Sequence, residues 1–400
     1  MSPTQTPTEA DQGTADTGMP NTGMHVELSD AQRQARREFR AFVDAEIVPH
    51  AAAWDRAGRV PMEFIDRLRE RHWLGSPLPE EAGGLGMEPI TYGLLTEEMG
   101  RGCSSVRSLL TVHDMTTRAV HRWGSAALKE AILEPLARGE KLGALALSEP
   151  NVGSDAAQAE TQARRDGDHF VLDGVKKWTT FGQLADYYLA LAQCDGKPTA
   201  FLVPADAPGL RREAMEPPMG TRASLLAEIH LEGCRIPAEN LLARVGFGFS
   251  HVISTALDHG RYSVAWGSVG IAQGCLEACR NYTRSRRQGG KLLQEHQLVQ
   301  RKLTELLVNT RAARLLCCRA GHLRRSGDPS ASTETMIAKY FASRTATAAA
   351  HDAVQLHGAN GMTDDYPVGR YLRDAQVTEI IEGSTHIQQI SIPWMPLPEL

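Results

Sequence analysis

From residue 28 onward the apolar positions recur at helical spacing. Ala31, Ala35, Phe39, Phe42, Val43 and Ile47 share one face. Ser29, with Gln32 three residues on, reads as a capping box in front of them, and the pattern predicts a helix ending near Pro49. Pro61 opens a second helix carrying Phe64, Ile65 and Leu68. The stretch Pro79 to Gly86 reads as a loop, and two or three further helices run from Pro89 to about Gly139. Near Leu142 the period changes. Leu145 and Leu147, then Phe170-Val171-Leu172, Tyr187-Tyr188-Leu189 and Ala200-Phe201-Leu202-Val203, are short strand-like runs. Asp166-Gly167, Asp173-Gly174 and Asp195-Gly196 punctuate them as turns. No long helix separates these runs, so they predict a small antiparallel β-domain and not a βαβ unit. Helical spacing returns at about Gly248. One helix carries Gly260, Gly267, Gly270 and Gly274 around Val269 and Ile271. Each glycine costs about 1 kcal/mol against alanine in a helix interior, so the cluster predicts close helix packing. A long helix with Val299, Leu303, Leu306 and Leu307 stops near Gly327, and another runs from about Thr333 to Leu356.

The order helical, β, helical predicts an α+β chain in four parts: a disordered tail over 1–27, helices over 28–141, a β-domain over 142–245 and a helical bundle over 246–400. The tail is rich in Thr, Gly, Pro and Asp and lacks the apolar surface that would offset its ordering entropy. The charge of −5 leaves no basic surplus for nucleic acid. No apolar run approaches the roughly 20 residues of a membrane span, and no signal pattern opens the chain. Seven cysteines, an odd number scattered over 400 residues, make no disulfide framework, so a reducing cytoplasm is expected. Cys275 with Cys279 and Cys317 with Cys318 do not make a zinc pattern, and no metal is expected.

Five stretches could carry chemistry. In Ile380-Ile381-Glu382-Gly383-Ser384-Thr385-His386, an acid between branched apolar residues and glycine could be a base in a dry pocket. Leu145 to Asp155 runs from a strand into a turn of Pro, Asn, Gly, Ser and Asp that exposes N–H groups and a hydroxyl; alone, it is a common strand-end loop. Trp178, followed by Thr179 and Thr180, could stack on and hydrogen-bond a planar cofactor, or could be core. Arg284 to Lys291 places four cations beside two glycines. They suit a helix C-terminus and would equally suit a pyrophosphate or a carrier phosphopantetheine. Gln355-Leu356-His357-Gly358 reads as a helix cap with a structural histidine.

In this order and spacing, these stretches resemble the acyl-CoA dehydrogenase family over about residues 28–392. Leu147-Ser148-Glu149-Pro150-Asn151-Val152-Gly153-Ser154-Asp155 is similar to the family's first signature. Tyr371-Leu372-Arg373-Asp374 with Ile381-Glu382-Gly383-Ser384 is similar to its second. The resemblance implies an N-terminal helical domain, a middle antiparallel β-barrel, a C-terminal four-helix bundle, FAD as cofactor, and a homotetramer or homodimer. It implies that Glu382 abstracts the α-proton of an acyl thioester while the β-hydride passes to flavin N5. Leu145, Leu147, Ser148, Gly153, Ser154, Trp178, Thr179 and Thr180 would then line the flavin. Arg286, Gln297 and the turn Gln355, Leu356, His357, Gly358 would reach the FAD of a neighbouring subunit, and Ser384, Thr385 and His386 would lie near its phosphates. Ser154, Asp258, Arg261 and Gly383 would meet the substrate. Part of the family places its base just before the arginine of the last domain's first helix. Here that residue is Gly260, which leaves Glu382 without a rival. Gly289-Gly290 departs from the family's usual Phe-Gly, a departure that bears on FAD affinity.

The run Gly100 to His113, with Gly246 to His251 and Glu379 to Thr385, further resembles the acyl-carrier-protein dehydrogenases of polyketide extender-unit pathways. This implies a short polar unit tethered to a carrier protein. An ordinary short-chain acyl-CoA dehydrogenase, a flavin oxidase or monooxygenase on the same fold, and a non-catalytic thioester binder are the alternatives, and the electron acceptor stays open.

Overall fold

The computed structural model describes residues 27–396. The expected disordered tail therefore lies, but for Glu27, outside the described residues. Helix α1 (Asp30–Glu46) starts as the capping box predicts: Gln32 N donates to Ser29 Oγ at 3.2 Å and Ser29 N donates to Gln32 Oε1 at 2.9 Å. Phe39, Phe42, Val43 and Ile47 are buried, while Ala31 is exposed. A short α2 (Ala51–Ala57), ended by left-handed Gly58, was not expected; at seven residues it carries too little apolar periodicity to read. Then follow α3 (Met62–Glu70), α4 (Pro89–Gly102), α5 (Ser104–Trp123) and α6 (Ala126–Ala137).

The middle of the chain forms one sheet from β1 (Gly143–Ala146), β2 (Gln162–Asp166), β3 (His169–Thr179), β4 (Tyr187–Cys194), β5 (Lys197–Pro204), β6 (Leu210–Ala214), β7 (Ala227–Pro237) and β8 (Leu241–Leu242). Its order is β6-β7-β3-β2-β4-β5-β8, with β1 on β4. Two details correct the sequence reading. The sheet is mixed, because both β1 and β2 pair in parallel with β4. Asp173-Gly174 is no turn: it lies within β3, where the register against β7 shifts between Leu172 and Gly174. Asx-Gly signals a bulge here because Gly174 (φ 154°) packs on Thr161, leaving no space for a Cβ. Asp166-Gly167 and Asp195-Gly196 do link consecutive strands. The path ends at β6 and β8 without joining them, and β6 guards its edge with Arg211, Arg212 and Glu213.

After a π-helical turn (Gly248–Ile253) comes α7 (Ser254–Ser285), then the β9–β10 hairpin (Arg287–Gln288 and Lys291–Leu292), α8 (Gln297–Ser326), α9 (Ala331–His357), α10 (Val368–Ile380) and α11 (Thr385–Ser391). Gly289 and Gly290, both with positive φ, form the hairpin's turn. One core unites the first and last thirds: Phe39, Val43 and Ile65 share a cluster with Trp266, Val269 and Cys317. The predicted close approach is real. A Cβ on Gly270 would sit 2.0 Å from Glu97 O in α4, and one on Gly100 would sit 2.5 Å from Gly267 O. The sheet has its own core around Phe170, Phe201 and Ile236. All seven cysteines are free and buried. Among the described residues no helix is long and apolar enough to cross a membrane.

Candidate active site

Glu382 lies in the break between α10 and α11. Ile381 is extended (φ −71°, ψ 159°), then Glu382 (φ 56°) and Gly383 (φ 88°) both turn left-handed. A glutamate in that region costs on the order of 1 kcal/mol, so the neighbours must hold it. Two cations do so, one half-buried and one buried. Arg261 Nε, from α7, donates to Glu382 O at 3.1 Å, and Lys339 Nζ, from α9, donates to Gly383 O at 2.9 Å.

The turn sends the acid inward against α7. A Cβ on Gly260 would lie 2.5 Å from Glu382 Oε2 and 2.8 Å from Met115 Sδ. Gly260 therefore does more than leave the other base position empty: its missing side chain is the space the carboxylate fills. Glu382 as a residue is half-buried, but Oε2 is enclosed and finds no hydrogen-bond donor among the described residues. Burial raises its carboxyl to about 7, against the opposing pull of Arg261, Lys339 and Arg107. Burial likewise lowers Lys339 to about 7 and Arg107 to about 10. An acid so placed can take a proton from a weak carbon acid near neutrality.

The first signature abuts this acid through Met115, whose cluster Leu145 and Leu147 cover as β1 ends. The loop beyond is pinned from below. Glu149, buried, accepts from Lys176 Nζ at 2.6 Å and from Thr161 N and Oγ1. Burial pushes its carboxyl up, but Lys176 and the other donors outweigh this and hold it below the usual range. Ser148 O accepts from Lys177 N at 2.8 Å, which sets Ser148 beside the end of β3. Gly153 and Ser154 are exposed at the loop tip, with open space around Gly153.

Trp178 is not core. It is left-handed (φ 62°) and 53% exposed, and Thr180 behind it is half-buried. Thr179 is buried with an Oγ1 that has no partner among the described residues. A bare indole, an orphaned hydroxyl and the Ser148 loop fit a flat hydrogen-bonding ring such as the isoalloxazine of FAD. Ser384 caps α11 by accepting from Ile387 N at 3.3 Å, Thr385 Oγ1 donates to Glu379 Oε2 at 3.1 Å, and His386 is exposed. Asp258 is already engaged: it accepts from Arg324 Nη2 at 2.7 Å and from Ser332 Oγ at 2.8 Å.

A second group of expected residues lies elsewhere. Arg286 follows the last residue of α7, 26 positions beyond Gly260, roughly 39 Å along the helix axis. Gln297 opens α8 just past the hairpin, and both are exposed. The Gln355-to-Gly358 turn joins this end. His357 is buried and stacked on Tyr282 (centroids 4.2 Å apart) while donating from Nδ1 to Ala353 O at 2.7 Å, and Tyr282 donates to His357 O. Gln355 and Gly358 are exposed and Leu356 is half-buried.

Sequence reasoning missed Arg107 and Lys339 as parts of the site. The available signal was a lone cation inside a helix face otherwise built of small or apolar residues. Lys339 sits among Ala338, Ala342, Ser343 and Ala346, and all are buried. Cations are seldom buried fully without a partner.

Comparison with known proteins identifies the family. Family models for the acyl-CoA dehydrogenase N-terminal, middle and C-terminal domains match residues 29–140, 144–234 and 246–393. The chain is 37% identical to the mitochondrial short-chain specific acyl-CoA dehydrogenase of Rattus norvegicus, over 92% of this chain and 90% of that one. A glutaryl-CoA dehydrogenase from Mycobacterium smegmatis, solved in complex with FADH2, superposes with a TM-score of 0.87 at 30% identity, covering 92% and 94%. FkbI, solved for biosynthesis of the methoxymalonyl extender unit of the Fk520 polyketide, matches with a TM-score of 0.82 at 34% identity, covering 90% and 98%. The enclosed acid, the exposed indole and the order of the three domains thus have one common explanation: FAD is the cofactor, acyl thioesters are what the enzyme oxidises, and the chain belongs to the acyl-CoA dehydrogenase family.

Proposed function

We propose that this enzyme dehydrogenates a short acyl unit carried on a carrier protein, with Glu382 as the base that removes the α-proton. The observation that carries the base assignment is the enclosed, donor-free Oε2, raised to about 7 and held by a left-handed turn. A Cα–H next to a thioester carbonyl is a weak acid, and a carboxylate stripped of water is a stronger base toward it. Charge that develops on the thioester oxygen needs a donor, and the Glu382 backbone N–H is the chain's own candidate. Arg261 and Lys339 keep that turn in place, and Gly260 leaves the acid its volume. Bound FAD supplies the acceptor for the β-hydrogen and its two electrons. Leu145, Leu147, Ser148, Gly153, Ser154, Trp178, Thr179 and Thr180 would hold its ring, with Ser384, Thr385 and His386 toward the phosphates. Arg261, Gly383 and Ser154 would meet the thioester arm. Asp258 would act there only through Arg324.

Likeness to FkbI and the Gly100-to-His113 run support the carrier-bound unit and, with it, a role in polyketide or other secondary metabolism. Likeness to the rat short-chain enzyme supports the second reading, a short acyl-CoA. Arg286, Gln297 and the Gln355-to-Gly358 turn lie so far along α7 that they would serve the FAD of a neighbouring copy, in a dimer or tetramer. A cytoplasmic location is consistent with seven unpaired cysteines.

The test is anaerobic bleaching of the flavin by matched acyl-carrier proteins and acyl-CoAs. Bleaching by both carrier forms at similar efficiency would refute the carrier-protein reading. Oxygen uptake coupled to substrate would favour an oxidase, and a colourless protein would support a non-catalytic binder. In Glu382→Gln, FAD is expected to stay bound while dehydrogenation falls by roughly 10² to 10⁴-fold; ordinary turnover in that variant would sink the base assignment.

A further inference from the structure

The outer end of α5 carries cations that no acid neutralises. Arg122 lies 5.3 Å over the Trp123 ring, and Arg244, in the loop before α7, lies 3.7 Å over the Phe247 ring. The two segments are joined, because Ala243 N donates to Trp123 O at 2.9 Å. His251 links the rings, with centroids 4.4 Å from Phe247 and 5.4 Å from Trp123. Two lysines flank them. A Cβ on Gly246 would lie 3.4 Å from Lys197 Cδ, and one on Gly124 would lie 3.4 Å from Lys129 Cγ. Arg122, Lys197 and Arg244 are exposed and Lys129 is half-buried; none of the four makes an ion pair among the described residues. Other exposed arginines are paired: Arg67 with Glu46 and Arg235 with Asp166, both at 2.7 Å.

This surface lies at the outer end of the site. Met115, Arg118 and Arg122 follow one another at spacings of three and four, on one side of α5. Met115 Sδ adjoins the space that Glu382 fills, and Arg122 is seven residues, or roughly 10 Å, further along the axis. On α7, the π-helical turn holding His251 precedes Gly260 by nine residues. Trp123 Nε1 donates to Thr255 Oγ1 at 3.0 Å and fastens the two helices there. At the level between, Arg118, His259 and Arg324 line a cavity of about 260 Å³. A phosphopantetheine arm runs about thirteen bonds from sulfur to phosphorus, roughly 16 Å when extended. An arm with its thioester at Glu382 is therefore long enough to end at this surface.

Resting on the reading of a carrier-bound substrate, we propose that Arg122, Lys129, Lys197 and Arg244 form the docking surface for an acidic carrier protein, seated where its arm leaves the enzyme. Charge complementarity selects the occupant. The whole chain carries −5, so an acidic protein is repelled on average and drawn only to a local surplus of cations. Four separate segments supply these cations and none is fully buried, so they make a surface and not a pocket for a small anion. Ring stacking holds the two guanidinium groups before the partner arrives, which lowers the cost of ordering them.

The test uses the holoenzyme and one acyl group that bleaches the flavin, offered on a carrier protein, on CoA and on free pantetheine. The double variant Arg122→Glu, Arg244→Glu should raise KM for the acyl-carrier protein by about 10- to 100-fold with kcat unchanged. Both constants for acyl-pantetheine should stay as in the wild type. Added salt should raise the wild-type KM for the carrier form and leave that of the variant nearly flat. An unchanged KM for the carrier form would overturn the proposal. So would an equal rise for acyl-CoA, which would make the patch a site for the arm's phosphates alone, or an equal rise for acyl-pantetheine, which would mark damage to the active site. If that variant does not fold, Lys129→Glu, Lys197→Glu carries the same expectation. A wild type that oxidises acyl-CoA and no acyl-carrier protein refutes the carrier reading, and the docking surface falls with it. If no thioester bleaches the flavin, the dehydrogenase reading fails separately, and equilibrium binding of the holo-carrier protein decides the surface: equal affinity for wild type and variant rejects it.

Discussion

At Glu382 a single residue combines three departures from the ordinary: a left-handed backbone, an enclosed carboxylate and the pull of three cations, Arg261, Lys339 and Arg107. Its pH behaviour follows. The acid is raised from its ordinary 4.5 to about 7, so the folded protein binds a proton there more readily than the unfolded chain does. This contribution favours folding below pH 4.5 and is lost between pH 4.5 and about 7. With Glu382 as the proposed base the active form would be the carboxylate, so kcat/KM should rise through an apparent value near 7, a limb shared with Lys339 as a coupled pair. In Glu382→Gln the stability gap to wild type should open over the same window, measured as Tm at pH 4.5 and pH 7.5; a constant gap would contradict the enclosed acid. Gly260→Ala tests the volume directly. A methyl 2.5 Å from Oε2 must displace the acid, and about a 100-fold loss of kcat with Tm nearly unchanged is expected.

At the scale of the element, the second signature is largely a fastening. Arg373 pairs with Asp55 of α2 at 2.6 Å, and Asp374 Oδ1 accepts from Thr221 N at 2.7 Å. Tyr371 donates to Arg101 O of α4 at 3.0 Å, in the gap that Gly274 leaves. Helix α10 is thereby tied to the first third, to the β-domain and to α7, and Glu382 sits two residues past its end. Asp374→Ala leaves Thr221 N and Arg370 without their acid, so a loss of about 3 kcal/mol is expected by urea unfolding; a change below about 1 kcal/mol would show that the fastening is redundant.

These partners explain how far the sequence could be read. The residues of both signatures, the capping box and the glycine-mediated packing of α7 are local patterns or type constraints, and they are visible in one dimension. Arg373-Asp374 looked like part of a site because its partners at Asp55 and Thr221 are more than 150 residues away. Asp173-Gly174 looked like a turn because nothing local distinguishes a bulge whose register is set by β7. Trp178 was ambiguous because exposure depends on where β3 ends. That Arg107 is buried with no carboxylate in ion-pair contact among the described residues could not be read at all, since it depends on where every described acid lies.

Across the whole molecule, α7 is the ruler. Its 32 residues extend roughly 48 Å. Gly260 near one end houses the acid, and Arg286 just past the other closes the far group. If the far group serves a neighbouring copy, flavin retention depends on assembly. Dilution below the association range should release FAD and monomer together, seen as rising free-flavin fluorescence alongside falling mass in solution. Arg286→Ala should lose flavin without changing the α7 fold, and unaltered retention at every dilution would confine each cofactor to one chain.

The space shared by Gly260 and Glu382 has a further implication. Two segments more than a hundred residues apart address one volume that admits one carboxylate. Acids at both positions would collide, and glycine at both would leave a hole with no base. The two positions therefore behave as an exclusive choice. An acid can migrate between them only by a coordinated exchange, because either single step passes through a protein that is overcrowded or inert.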